Sequence, residues 1–324
     1  MVHYTGCSGF FITKGKNVLL FDPFFSYNVA LRSRLISDKR KISAKLANEI
    51  DTVFSRAISK TRDHDSAISA LIIDHAHVDH IGDIPYLLDK GYLRKDMKII
   101  GNTTAGHYIR GNVGEDITNI VDGAEDSAAA WLSEGKWIYV NGHTRVMPIV
   151  SEHGPHIKVL GLKISFASGR HEMKDRKRGY PLCYGTGQTL SYLVDFLNGD
   201  SSVNFRIYHS SASMNAPNGF PPASVLAEHG VDLAILCAAS FNQVHDHPNS
   251  IIRYLKPRHI IFSHWEGFLF SSYAGVKKHG WKNFAYSYRK LFKRVNHTLH
   301  DLNGKNGDIS YSIPNVDTRM KFYY

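Results

Sequence analysis

The segment "LIIDHAHVDHIGD", residues 71–83, sets three histidines and three aspartates directly behind a short apolar run. Its centre, "DHAHVDH", holds His75, His77, Asp79 and His80 within six residues. In an extended loop, alternation throws His75, His77 and Asp79 to one side, and a following turn brings His80 beside them. Imidazoles combined with a carboxylate suit zinc, iron or manganese, and a loop at a strand end is a rigid place to hold them. A lone histidine in a chain with 19 of them reads as solvated; H-x-H-x-D-H behind a hydrophobic strand reads as a loop that grips metal.

Such a loop needs a scaffold. Short apolar, β-branched runs recur along the chain: "GFFIT", "NVLLFD", "ALIID", "MKIIG", "RVMPIV", "IKVLGLKISFAS", "TLSYLVDF", "NFRIYHS", "VDLAILC" and "HIIFSH". Each has strand length, and most run into Gly, Asp, Ser or Pro, the pattern of buried strands with functional loop ends. Helices are predicted over 30–61, 83–90, 126–134, 222–230 and 250–255. The strands fall into two groups separated by helical stretches, which predicts an α/β architecture with two sheets. At 324 residues and 43% hydrophobic content the chain can bury a large core. We read it as one domain over 1–324 with a helical insertion at about 28–62. The opening residues lack a secretory signal and no window has the length of a membrane span, so a cytoplasmic protein is expected. Cys7, Cys183 and Cys237 are odd in number and far apart, which supports reduced thiols and neither a disulfide framework nor a CxxC knuckle. The net charge of +10 favours anionic partners.

The ligand loop, the opening "YTGCSGFFI…NVLLFDPF", the "SEHG" segment and "HIIFSHWEGF" together resemble the metallo-β-lactamase superfamily over most of the chain. The resemblance implies a four-layer αββα sandwich with metals at one edge of the two sheets. It makes Asp22 the structural aspartate near the site and implies a first metal site of His75, His77 and His153, with Asp79, His80 and His264 forming a second. Three neutral imidazoles leave a position open for water, whose pKa a divalent ion lowers from roughly 16 to about 7, giving hydroxide for hydrolysis. Asp79 would be catalytic, ligating the second ion and orienting the nucleophile. The implied cofactor is one or two divalent ions, zinc first, with manganese or iron as alternatives.

One departure stands out. Most dinuclear members carry a bridging aspartate after a late strand, whereas the corresponding "YHSSAS" here puts Ala212 at that position, and no acid occurs from 205 to 215. His209 is then either a substitute ligand or substrate contact, or a polar residue at a strand end. The same departure, with His77 where flavo-diiron members carry Glu, argues against redox chemistry. The resulting reading is a metallo-hydrolase acting on an ester, lactone or phosphodiester bond of a small anionic molecule, resembling the sugar-phosphate lactonase and phosphodiesterase branch. Two alternatives are a nuclease acting on nucleic acid and a metal-retaining binding or regulatory protein.

Other features carry paired readings. The basic stretch "GRHEMKDRKRGYP", with Arg170, Lys174, Arg176 and Arg178, is an anion attractor or a solvated loop. The 28–62 insertion is a lid or a packed helical layer. "QVHDHPNS", with His245, Asp246 and His247, is a proton carrier or, preferably, turn chemistry. "CYGTGQT" reads as a hairpin turn. The tail "WKNFAYSYRKLFKRVNH" reads as an amphipathic helix burying Trp281, Phe284, Tyr288 and Phe292 rather than a nucleic-acid surface.

Overall fold

The computed structural model of the protein describes residues 1–26, 44–61, 68–114, 117, 119–121, 123–155, 157–159, 162–164, 185–266, 282–283, 286–306 and 309–323. The strands are β1 (Val2–Gly6), β2 (Gly9–Lys14), β3 (Asn17–Phe21), β4 (Ala70–Ile72), β5 (Lys98–Ile100), β6 (Ile120–Val121), β7 (Ile138–Asn141), β8 (Thr144–Val150), β9 (Ile157–Val159), β10 (Leu162–Ile164), β11 (Leu190–Leu197), β12 (Val203–Ser210), β13 (Leu233–Cys237), β14 (His259–Ser263), β15 (Lys282–Asn283), β16 (Tyr286–Ser287), β17 (Ser310–Ser312) and β18 (Thr318–Met320). The helices are α1 (Ala44–Thr61), α2 (Val78–Ile81), α3 (Ile84–Asp89), α4 (Thr103–Val113), α5 (Ala223–Glu228), α6 (Asn249–Leu255) and α7 (Tyr288–Asn306).

Two seven-stranded sheets run in the orders β18-β1-β2-β3-β4-β5-β6 and β17-β14-β13-β12-β11-β8-β7. β3 to β6 are parallel in the first sheet, and β12, β13, β14 and β17 are parallel in the second. Strand alternation sorts the side chains. In β3, Leu19 and Phe21 enter the core shared with Tyr192, Val194 and Ile235 of the second sheet, whereas Val18 and Leu20 face the other way. That outer face is covered by Ile50, Val53 and Phe54 of α1, Leu87 of α3 and Tyr108 and Ile109 of α4. On the far side, Ile251, Ile252 and Leu255 of α6 and Leu291 and Val295 of α7 join the shared core cluster. The result is the expected αββα sandwich. Both faces of the central strands are covered, so β2, β3, β4, β11, β13 and β14 read as near-continuous buried runs, whereas edge strand β7 alternates.

All ten strand-like runs contain strands. Residues 126–134 do not form the predicted helix: a 3-10 turn, Ala124–Ser127, ends there. The Ala129 N–H then donates to the Pro148 carbonyl at 2.8 Å and its carbonyl accepts from Val150 N–H at 2.8 Å. Pairing to the edge of β8 overrides the helix propensity of the alanine run. α4 went unpredicted because "TTAGHYIRGNV" carries two glycines and two threonines; its Asn102 cap accepts from Ala105 N–H at 2.8 Å and starts it. α1 packs as an outer layer, while residues 28–43 and 62, where a lid would be sought, lie outside the described residues. Among the described residues no helix is long and apolar enough to cross a membrane.

Candidate metal centre

Each candidate ligand follows the end of a strand, and the parallel strands of both sheets deliver several of them to one edge. Asp22 follows β3, His75 follows β4, His153 follows β8 and His264 follows β14. The ligand loop is tightly held. Ala76 N–H donates to the Thr186 carbonyl at 3.0 Å, and Asn102 donates its amide to the same carbonyl at 2.9 Å and to Gln188 O at 2.8 Å. Gly187 sits in this support with φ +64, where a Cβ would approach Asn102 Nδ2 to 2.7 Å, so glycine is required there. "CYGTGQT" is therefore, over its described residues 185–189, a buttress leading into β11 rather than a hairpin. The turn predicted to swing His80 round is α2, with His80 and Ile81 N–H both donating to the His77 carbonyl at 3.0 Å. Asp83 closes the loop by accepting from Phe25 and Ser26 N–H at 2.7 and 2.9 Å.

The first group is His75, His77 and His153, whose ligand atoms lie within 4.8 Å of one another. His75 Nε2 and His77 Nδ1 converge to 2.9 Å, and the three rings are 4.6 to 4.9 Å apart. His153 Nδ1 lies 2.6 Å from the Gly154 carbonyl, the contact of a donated proton, which leaves Nε2 as a lone-pair donor. Burial, followed by the charges of His80, His77, His153 and His264, holds the His75 pKa well below its ordinary value and keeps the ring neutral. Three converging imidazoles, one of them buried and neutral, fit a borderline divalent ion.

The second group is Cys7, Asp79 and His264, again within 4.8 Å. His264 Nε2 is 3.1 Å from Asp79 Oδ2. Burial opposes ionisation of Asp79, but His80, the hydrogen bond from His264, and the charges of His264 and His77 outweigh it and hold the carboxyl well below the usual carboxylate range. His80 lies between the groups, 4.0 Å from the His75 ring and 5.7 Å from the His264 ring. Its Nδ1 faces Asp22 Oδ2 at 3.1 Å and its Nε2 faces Asp79 Oδ2 at 3.7 Å. Burial alone would lower its pKa; Asp22 and Asp79 reverse that and push it up to about 9. A carboxylate behind Nδ1 orients the ring and presents Nε2 to the second group. Cys7 is absent from the sequence-derived ligand set, although it stands in the "GCSG" opening that carries the resemblance.

Beneath the loop is a third, wholly buried group of Asp22, Asp74 and His209. Asp74 N–H donates to Asp22 Oδ1 at 3.0 Å, Ser211 N–H donates to Asp74 Oδ2 at 2.7 Å, and His209 Nδ1 is 3.1 Å from Asp74 Oδ1. The His209 ring packs 4.5 Å from Phe21 and 5.9 Å from Phe10. His209 is thus grouped with the supporting carboxylates rather than with either histidine cluster. Burial and the neighbouring Asp74 raise the Asp22 pKa, with His80 and His209 opposing. Ala212 is buried one residue beyond Ser211, so the "YHSSAS" segment ties itself to the ligand loop through Asp74. Asp74 and its supporting role were missed because, next to His75, it read only as the end of a strand.

The remaining features separate. Asp246 has φ 55 and is ion-paired with Arg253, and the wholly buried His247 places Nε2 3.0 Å from the Cys237 carbonyl, so "QVHDHPNS" is structural turn chemistry. Burial lowers the His247 pKa from 6.5 to about 4. Between those values the unfolded chain binds a proton that the native chain refuses, so native stability should fall by about 3 kcal/mol as pH drops through that window. His247→Gln, which keeps a donor for the Cys237 carbonyl, should flatten the fall in denaturation midpoints measured across it; an unchanged slope would remove His247 from the effect. The tail forms α7 only from Tyr288, which is buried together with Phe292, while Trp281 and Phe284 lie outside the described residues. Lys290, Lys293, Arg294 and His297 of α7 line a cavity of about 630 Å³ with Phe241, Asn242 and Asn249. Arg170, Lys174, Arg176 and Arg178 lie outside the described residues. Asp195, Asp200 and Glu228 are remote in role: Asp195 pairs with Arg206 and Arg145, Asp200 hydrogen-bonds Ser202, and Glu228 is 3.8 Å from Arg145.

Residues 5–147 match the metallo-beta-lactamase superfamily model. No curated protein sequence matches the chain. Among solved structures, Igni18, a metallo hydrolase from the hyperthermophilic archaeon Ignicoccus hospitalis, is 11% identical with a TM-score of 0.51, covering 100% of this chain and 98% of that one. CmlA, a diiron β-hydroxylase from Streptomyces venezuelae, is 12% identical with a TM-score of 0.51, covering 96% of this chain and 52% of that one. At such identities the likeness is one of fold. The matched region carries β2 to β7 and the H-x-H-x-D-H loop, and the histidines and aspartates meet at one edge of an αββα sandwich; residues 5–147 are similar to the metallo-β-lactamase superfamily, and the whole chain shares the fold of these metallo-hydrolase structures.

Proposed function

We propose that the protein is a metal-dependent hydrolase that cleaves an ester, lactone or phosphodiester bond in a small anionic substrate, with zinc the first choice of metal. The observation that carries this reading is the pair of ligand groups, His75–His77–His153 and the Asp79–His264 side, set against each other with His80 between them. A bound divalent ion would supply Lewis acidity and a water acidic enough to ionise near neutral pH. The chain's own residues do the rest. His75, His77 and His153 would hold the first ion, and Asp79, kept ionised by His80 and His264, would accept a hydrogen bond from an attacking water and orient it. Asp22 fixes the His80 ring by facing its Nδ1. The net charge of +10 favours an anionic substrate.

Asp79→Asn tests the reading. The amide keeps the shape but loses the charge, so turnover on a substrate found in a broad ester, lactone and phosphodiester screen should fall by roughly 10²–10⁴-fold, the usual worth of a positioned acid–base group. First-site metal, measured by elemental analysis, should change little. An unchanged rate would remove Asp79 from the mechanism. Loss of all bound metal would make it a primary ligand. The basic cavity beside α7 favours the nuclease alternative, which predicts retention on polyanions with steep salt dependence.

A further inference from the structure

We infer that Cys7 is a thiolate ligand of the second metal position, supplying the negative charge that Ala212 withholds. The inference rests on the metal-dependent reading above and goes beyond it by naming a donor and the class of ion it selects. Cys7 Sγ, a carboxylate oxygen of Asp79 and a ring nitrogen of His264 lie within 4.8 Å of one another, the same closeness as the three histidines of the first group. Cys7 is wholly buried and Asp79 is 6% exposed, so the group is an enclosed one.

The backbone around Cys7 is built to hold it there. The β1–β2 register shifts between Tyr4 and Gly6, and Cys7 follows at φ 51, a left-handed conformation that a β-carbon disfavours. His264, at φ 55, shares that unusual conformation. Such strain persists where the surroundings over-determine it, and here they do. His264 N–H donates to the Cys7 carbonyl at 2.7 Å, Tyr4 Oη donates to the same carbonyl at 3.0 Å, and Cys7 N–H donates to Glu266 Oε1 at 3.1 Å. The single Tyr4 hydroxyl hydrogen is shared between the Cys7 carbonyl and Glu266 Oε1. This clasp locks residues 7 and 264 together through main-chain atoms and leaves both side chains on the Asp79 side.

The charge balance agrees. Two divalent ions close together repel, and a bridging carboxylate ordinarily relieves the repulsion; with alanine at 212, a thiolate together with the Asp79 carboxylate places two negative charges at the second ion. A zinc–sulfur bond of about 2.3 Å and zinc–nitrogen or zinc–oxygen bonds of about 2.0 Å are reached from this spacing by small side-chain movements. A thiolate selects zinc, cobalt or iron over magnesium, calcium and manganese. The second position is thereby predicted to reject the hard ions.

The test loads the full-length protein with cobalt(II) and follows metal equivalents alongside the near-ultraviolet thiolate-to-cobalt charge-transfer band. Wild type should bind two equivalents and show the band, and a Cys183→Ser, Cys237→Ser double variant, which retains only Cys7, should keep it. Cys7→Ser should lose the band and the second equivalent while retaining the first. Cys7→Asp should regain the second equivalent without the band. Two bound equivalents with no band in the double variant would overturn the Cys7 assignment and leave the hydrolase reading standing. No bound cobalt in any form would sink both. If Cys7→Ser does not fold, the spectrum of the double variant still decides.

Discussion

His75→Ala or His153→Ala is expected to release the first metal equivalent, abolish measurable hydrolysis and leave the chain folded. His75 is buried among other imidazoles, 4.0 to 4.9 Å from the rings of His80, His77 and His153, so its loss removes chiefly a polar donor at the sheet edge. Its neutrality is enforced by burial and by surrounding imidazoles, which means the ring arrives ready to donate and gains nothing from protonation. His153 has one nitrogen committed to the Gly154 carbonyl, which leaves the other as its lone-pair donor. Loss of a residue that merely orients a ligand costs about 10–100-fold in metal affinity or activity, and removing a ligand outright should exceed that. Elemental analysis with far-ultraviolet circular dichroism checks both halves; metal retained at wild-type stoichiometry in both variants would refute the first site.

Arg206→Ala should be the most damaging change away from that edge. Arg206 is wholly buried in β12, its Nε and Nη2 reaching the two Asp195 oxygens at 2.6 and 2.9 Å and its Nη1 donating to the Val225 and His229 carbonyls. Alanine would strand a buried carboxylate and two carbonyls. Arg145, whose guanidinium reaches Asp195 at 2.9 Å and stacks 4.0 Å over Trp137, compensates only in part. Breaking one side of a buried pair costs about 3–5 kcal/mol. Chemical denaturation should show a loss of that order, with Arg145→Ala well below it because its side chain is 15% exposed. A loss under about 1 kcal/mol for Arg206→Ala would mean that the network contributes little beyond what water would supply.

Much of this architecture is legible in the sequence. β3, β4, β13 and β14 are short runs of Val, Ile, Leu and Phe because helices or the opposing sheet cover both their faces, and such runs announce themselves without alternation. The histidine loop was legible because six adjacent positions carry all its chemistry. Cys7 and Glu266 were not. Their meeting is made by a register shift in β1–β2 and a left-handed turn after β14, and neither leaves a spacing signature linking positions 259 residues apart. Asp74 was hidden differently: its partners His209 and Ser211 come from the opposing sheet. The alanine run after 126 misled because local propensity was outvoted by pairing to β8, information that resides in the partner strand.

The Tyr4–Cys7–His264–Glu266 clasp also bears on the order in which the protein can acquire its two ligand groups during synthesis. The first group, His75, His77 and His153, needs the support of Thr186 and of β11 beside β8, all within the first 197 residues. The Cys7–Asp79–His264 group waits for β14, which must dock beside β13, and for β18, which pairs Val2 with Met320 at the far edge of β1. Closing contacts across so long a stretch of chain is the entropically slow part of folding. The second group is therefore the one whose formation depends on contact between β1 and β14, and metal bound there would report that this contact has been made.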